Sequence, residues 1–140
     1  MTVYKLYRGQ KVEGATPIGL VLLVYEALVQ SLMQARSAAE NGDVELQVEQ
    51  TSRAIQALLE LMVSLDHENG GEIAGNLASL YAYMHRRLLE GQNDDVVAAL
   101  DEVLNLAQTL REGWMELSQM QTQDRPPENA QRSIAQAVSA

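Results

Sequence analysis

The residues best suited to chemistry cluster at Asp66-His67-Glu68, with Glu72 little more than one helical turn further on. An imidazole between carboxylates is the donor set of a metal site or of an acid–base pair. The surroundings speak against both, because the run lies where an apolar helix gives way to Asn69-Gly70-Gly71, a corner at which polar side chains cap and solvate the backbone. His85 adjoins Arg86-Arg87 and reads as a surface residue. A di-iron bundle needs inward Glu-x-x-His pairs, yet the residues three before the two histidines are Ser64 and Ala82. With no cysteine, the chain has no thiol nucleophile, no disulfide and no thiolate metal site. Neither histidine has a serine partner in a nucleophile motif, and no glycine-rich loop follows a strand to cradle phosphate. The sequence therefore predicts no catalytic residue, no metal and no cofactor.

Composition narrows the remaining classes. A length of 140 residues suits one domain with a substantial core. A formal charge of −9 argues against nucleic acid, whose phosphates require a basic face. It also favours solubility in a protein that displays apolar surface. The longest apolar run, Leu20 to Tyr25, is far short of the ~20 residues that span a bilayer, so membrane insertion is not expected. No N-terminal stretch has the pattern of a secretory signal, which makes the cytosol the expected location.

Hydrophobic periodicity predicts helix nearly everywhere. Thr16-Pro17 starts a first helix as N-cap and first helical residue, and Asn41-Gly42 closes it. Asp43 caps a second helix to about Leu65, with Val44, Val48, Thr51, Ile55, Leu58, Met62 and Leu65 as its seam and Ala54, Ala57 and Leu61 off it. Asn69 and Glu72 have the spacing of a capping box opening a third helix, from about Gly71 to Glu90. Its stripe is Ile73, Leu77, Leu80, Tyr81, Met84 and Leu88. Asn93 caps a fourth helix carrying Leu100, Val103, Ala107, Leu110, Trp114 and Leu117. In this pattern Tyr81 and Trp114 are core residues. Short polar turns between long helices predict an all-α, antiparallel up-down four-helix bundle over residues 16–118. A short N-terminal arm or helix (1–15) precedes it, and the tail at 119–140, broken at Pro126-Pro127, is expected to be disordered or a short helix.

The first helix carries more apolar surface than one core stripe needs. Ile18, Val21, Tyr25 and Leu28 share one face, while Leu20, Leu23 and Val24 lie on another. Spacing does not say which face is core and which is groove. The second face needs cover from the arm, a second copy of the chain or a client. Tyr4 and Tyr7, large rings with polar edges, suit an arm that covers a groove. Tyr83 lies about 200° from Tyr81 and points to solvent or to a groove. The candidate binding residues are therefore Tyr4, Tyr7, Ile18, Val21, Tyr25, Leu28, Leu61 and Tyr83.

A family resemblance sharpens this. Tyr4-Lys-Leu-Tyr7, Ala15-Thr16-Pro17, Leu22-Leu23-Val24-Tyr25-Glu26 and Leu65-Asp66-His67-Glu68 are followed by Gly70-Gly71-Glu72-Ile73-Ala74, Asn76-Leu77, Leu80-Tyr81, Tyr83-Met84 and Leu110-Arg111-Glu112-Gly113-Trp114. In that order and spacing, the chain resembles the FliS family of flagellin export chaperones. The resemblance implies a cytosolic bundle that binds the C-terminal segment of flagellin about one-to-one and keeps it from polymerising before type III export. It implies grooves on the outside of the bundle, partly covered by the arm, and further flagellar export or regulatory proteins as partners. The basic arm (Lys5, Arg8, Lys11) and the long tail depart from the family pattern. The rival reading is a structural or regulatory bundle that self-associates through the same surface, with a weak homodimer as its mildest form.

Overall fold

In the computed structural model the described residues are 16–122, and all four predicted helices are present: α1 (Pro17–Glu40), α2 (Val44–Val63), α3 (His67–Gly91) and α4 (Val96–Thr122). Local chemistry explains their starts. The Thr16 hydroxyl accepts from the Gly19 N–H at 2.9 Å, with Pro17 locking the first helical φ. Asp43 accepts from the Leu46 N–H at 3.1 Å. Gly42, at φ 74°, makes the reversal between α1 and α2.

Two caps differ from the sequence expectation. Asp66, not Asn69, opens α3, its carboxylate accepting from the Asn69 backbone N–H at 3.1 Å and from Asn69 Nδ2 at 2.7 Å. Asp95, not Asn93, caps α4 by accepting from the Ala98 N–H at 3.1 Å. The Gly70-Gly71 corner is a break within α3: Gly71 sits at φ 52°, ψ −127°, a conformation that glycine alone adopts cheaply. α4 continues to Thr122, past the fading of the apolar rhythm after Leu117.

Each helix packs on two neighbours in a closed cycle: α1 on α2 and α4, α3 on α2 and α4. Cross-contacts fix the antiparallel sense, since Tyr25 meets Trp114 while Arg36, further along α1, meets Asp101, earlier in α4. The core holds Val24, Tyr25, Leu28 and Leu32 of α1, Ala54, Ala57, Leu58 and Leu61 of α2, Leu77, Tyr81, Met84 and Leu88 of α3, and Leu100, Val103, Ala107 and Leu110 of α4. Among the described residues α1 alone is long and apolar enough to cross a bilayer by length and composition. Here its apolar groups serve the bundle core.

The start of the α2 seam is the main correction, since Thr51 and Leu58 of that seam are buried and Ile55, Met62 and Leu65 pack against the core. Val44 and Val48 are 68% and 48% exposed, whereas Gln47, Gln50, Thr51, Ala54, Ala57 and Leu61 turn inward with Leu58. Small residues let α1 and α2 approach closely, and Gln47 is held by a bond from its Nε2 to Gln92 Oε1 at 2.8 Å. The apolar surplus is therefore most exposed on α2, at Val44, Val48, Leu59 and Val63.

Close approach also explains Gly91, which is buried at the end of α3. A β-carbon there would stand 2.4 Å from Ala99 Cβ. Gly91→Ala is expected to cost about 1–3 kcal/mol by overpacking. Adding Ala99→Gly should return part of that loss in urea denaturation. A wild-type midpoint for Gly91→Ala would mean that the two helices part freely.

Candidate functional site

Where α1 begins, α2 ends, α3 begins and α4 nears its end, the bundle opens into a cleft of about 260 Å³. Its wall is largely apolar. α1 contributes Pro17, Ile18 and Val21, α2 contributes Leu61, and Leu65 follows in the connecting turn. Ile73, Ala74 and Leu77 come from α3, with Tyr81 deeper on the same helix and Trp114 reaching in from α4. The break at Gly71 allows this opening: it ends the first turn of α3 just before Ile73, which stays partly exposed on the rim.

Beside the cleft lies a polar triad inside the apolar core. The Tyr25 and Tyr81 hydroxyls are hydrogen-bonded to each other, and Trp114 Nε1 donates to Tyr25 Oη at 3.2 Å. Burial, reinforced by the neighbouring Tyr81, raises the Tyr25 phenol well above its ordinary range. Burial likewise pushes Tyr81 up to about 12, against the opposing bond to Tyr25. Both phenols are thus neutral near physiological pH and act as donors or acceptors, not as bases.

The predicted binding residues separate. Ile18, Val21 and Leu61 line the cleft together. Tyr25 and Leu28 lie on the same α1 face, but at 0% exposure both are in the core, Tyr25 beside the cleft and Leu28 one turn deeper. Tyr83 is not in the cleft wall. It lies between α3 and α4, donating to Glu102, which also accepts from Arg87 Nε at 2.7 Å, while Arg86 stands 5.6 Å over its ring. The Tyr83 hydroxyl and then Arg87 hold the Glu102 carboxyl below its usual range. Tyr4 and Tyr7 fall outside the described residues. On the opposite α1 face Leu20 and Leu23 are half-buried and Val24 is buried.

Sequence reasoning missed Leu65, Ile73, Leu77, Tyr81 and Trp114 as cleft residues. The signal for the α3 members was the double glycine, which marks where that helix departs from its neighbours. Trp114, expected as a core anchor, serves both roles: its indole nitrogen is tied into the triad while its half-buried ring faces the cleft. Among the described residues no cluster of three or more His, Asp or Glu is placed to hold a metal ion.

An open apolar cleft is a candidate surface for a partner, and comparison with known proteins gives the family of the chain. The family described as "Flagellar protein FliS" matches residues 1–121. The chain belongs to the FliS family. It is similar to the flagellar secretion chaperone FliS of Salmonella typhimurium, 38% identical over 108 residues covering 76% of this chain and 80% of the relative. It is also similar to the flagellar secretion chaperone FliSB of Pseudomonas aeruginosa, at 36% over 104 residues (74% and 82% of the two chains). A more distant relative, the flagellar secretion chaperone FliS of Bacillus subtilis, is 29% identical over 122 residues (87% and 90%). FliS membership makes this chain a flagellar secretion chaperone, not an enzyme, as the resemblance of its motifs implied.

Proposed function

We propose that this chain binds the C-terminal region of flagellin in the cytosol, one-to-one, prevents its premature polymerisation and supports its delivery to the flagellar export apparatus. The observation that carries this reading is the open apolar cleft formed by Ile18, Val21, Leu61, Ile73, Leu77 and Trp114. A contiguous apolar surface on a small domain marks an interaction site. A disordered client that orders on such surfaces gives up about 2–5 kcal/mol in conformational freedom, offset by burying on the order of 1,000–3,000 Å². Release then needs no nucleotide, since unfolding or handover of the client reverses the same exchange. Residues Tyr4 and Tyr7 of the arm belong to the proposed surface as a cover over the groove.

Calorimetry against the C-terminal segment of the cognate flagellin is expected to show one-to-one binding at micromolar concentration or tighter, with a negative heat-capacity change. No heat at those concentrations would sink the proposal. A second reading, self-association, is favoured by the exposed valines of α2. Light scattering decides between them: a stable dimer that the flagellin segment does not open would favour self-association.

A further inference from the structure

The cleft has a polar side that its apolar wall conceals. Of its polar lining residues, Ser64 is engaged, its hydroxyl donating to the Leu61 carbonyl at 2.9 Å. The Asp66 carboxylate accepts from Asn69 through both oxygens. The indole N–H of Trp114 donates to Tyr25. The triad itself leaves a remainder. Trp114, Tyr25 and Tyr81 bring three donor hydrogens, one each, while two hydrogen bonds join the three side chains. Either phenol can donate in the bond between them, so one hydrogen remains on the pair; when Tyr25 donates, it is on Tyr81, the one tyrosine of the triad that lines the cleft.

We propose that Tyr81 is a specificity residue of the cleft, its hydroxyl donating a hydrogen bond to a backbone carbonyl of the client segment seated there. This rests on the reading of the cleft as a client site. A carbonyl fits better than the other acceptors. The Asp66 carboxylate in the same wall opposes a second carboxylate, and a client hydroxyl would bring one more donor to a site already in surplus. The requirement also constrains the client's shape. Carbonyls in mid-helix are bonded to their own helix, so the seated segment presents either the last turn of a helix or extended chain. A fully helical segment would satisfy the apolar wall and leave the Tyr81 hydroxyl unanswered, at a cost that weakens its binding.

Titration of full-length Tyr81→Phe and Tyr25→Phe with the flagellin C-terminal segment tests this. Both substitutions remove one buried hydroxyl and should lower the thermal midpoint comparably. Only Tyr81→Phe should weaken client binding, by roughly tenfold, while Tyr25→Phe keeps nearly wild-type affinity because the Tyr81 hydroxyl remains. Equal affinities for Tyr81→Phe and wild type overturn the proposal, as do equal losses for the two variants. Tighter binding by Tyr81→Phe would assign the acceptor to the chain's own terminal segments and overturn it too. Single thioamide replacements along the client read the same contact in the wild-type protein, whatever the variants' stability. One position should lose affinity severalfold, and a flat scan overturns the assignment. If wild type takes up no segment at all, the function reading fails and this inference falls with it; wild-type binding without a Tyr81 effect sinks the inference alone.

Discussion

Val21→Asp is expected to reduce affinity for the client segment by about 2 kcal/mol or more, at least about thirtyfold, while leaving the bundle folded. Val21 is half-buried and lines the cleft with Ile18, Leu61 and Trp114. In the free protein an aspartate there turns toward water at the cleft mouth, so the expected loss in thermal midpoint is a few degrees. Once a client covers the cleft, the same carboxylate faces apolar side chains with no partner, and its desolvation opposes binding. Leu77→Asp is the contrasting variant. At 2% exposure Leu77 is a core residue that touches the cleft from beneath, and a charge there should unfold the protein outright. If Val21→Asp is as damaging to the fold as Leu77→Asp, Val21 is core, and the client surface lies around Leu20 and Leu23 instead.

Stability should also fall in the alkaline range, because of the two phenols beside the cleft. Below about pH 10 the phenols are protonated in both folded and unfolded chains and contribute no pH dependence. Above it the unfolded chain gives up their protons, while the folded chain, with Tyr81 raised to about 12 and Tyr25 raised well beyond the ordinary value, keeps them. The unfolded state is therefore favoured progressively as pH rises toward 12. Two pKa units on Tyr81 correspond to about 2–3 kcal/mol. Urea denaturation at pH 9 and pH 11 measures the slope. The double variant Tyr25→Phe, Tyr81→Phe should show a much shallower loss than wild type, and an equally steep one would place the alkaline sensitivity elsewhere.

Thr16 was legible as a cap because Pro17 marks the first helical residue right after it, and Asp43 because Gly42 closes the preceding helix right before it. At Asp66 and Asn69, and at Asn93 and Asp95, two competent caps lie within three residues. The choice between them depends on where the turn must end for the helices to meet, which is tertiary information. In α2 two seams interleave, one of valines and one of alanines with Leu61. Of the expected seam Thr51 and Leu58 are buried and Ile55, Met62 and Leu65 pack against the core, whereas Val44 and Val48 are exposed, and close packing against α1 turns the alanines and Leu61 inward as well. In α1, spacing placed Ile18, Val21, Tyr25 and Leu28 on one face, and the structure does too. Spacing gives an angle about the helix, not a height in the bundle, so it does not show that the first pair reaches the open end while the second pair is enclosed.

That open end has a practical consequence. An even number of antiparallel helices returns the chain to the side from which it set out. Pro17 is itself part of the cleft wall, and Thr122 is only eight residues beyond Trp114. Both ends of the described chain therefore leave the bundle next to the same opening. In a chain cut back to residues 16–122, anything joined at either end by a short flexible link is held at a local concentration near the millimolar range. A purification tag or fluorescent fusion with even feeble affinity for apolar surface becomes an intramolecular competitor. The dissociation constant measured with such a protein would be that of an exchange, not of a free site, and cleaved or differently tagged preparations would disagree for this reason alone.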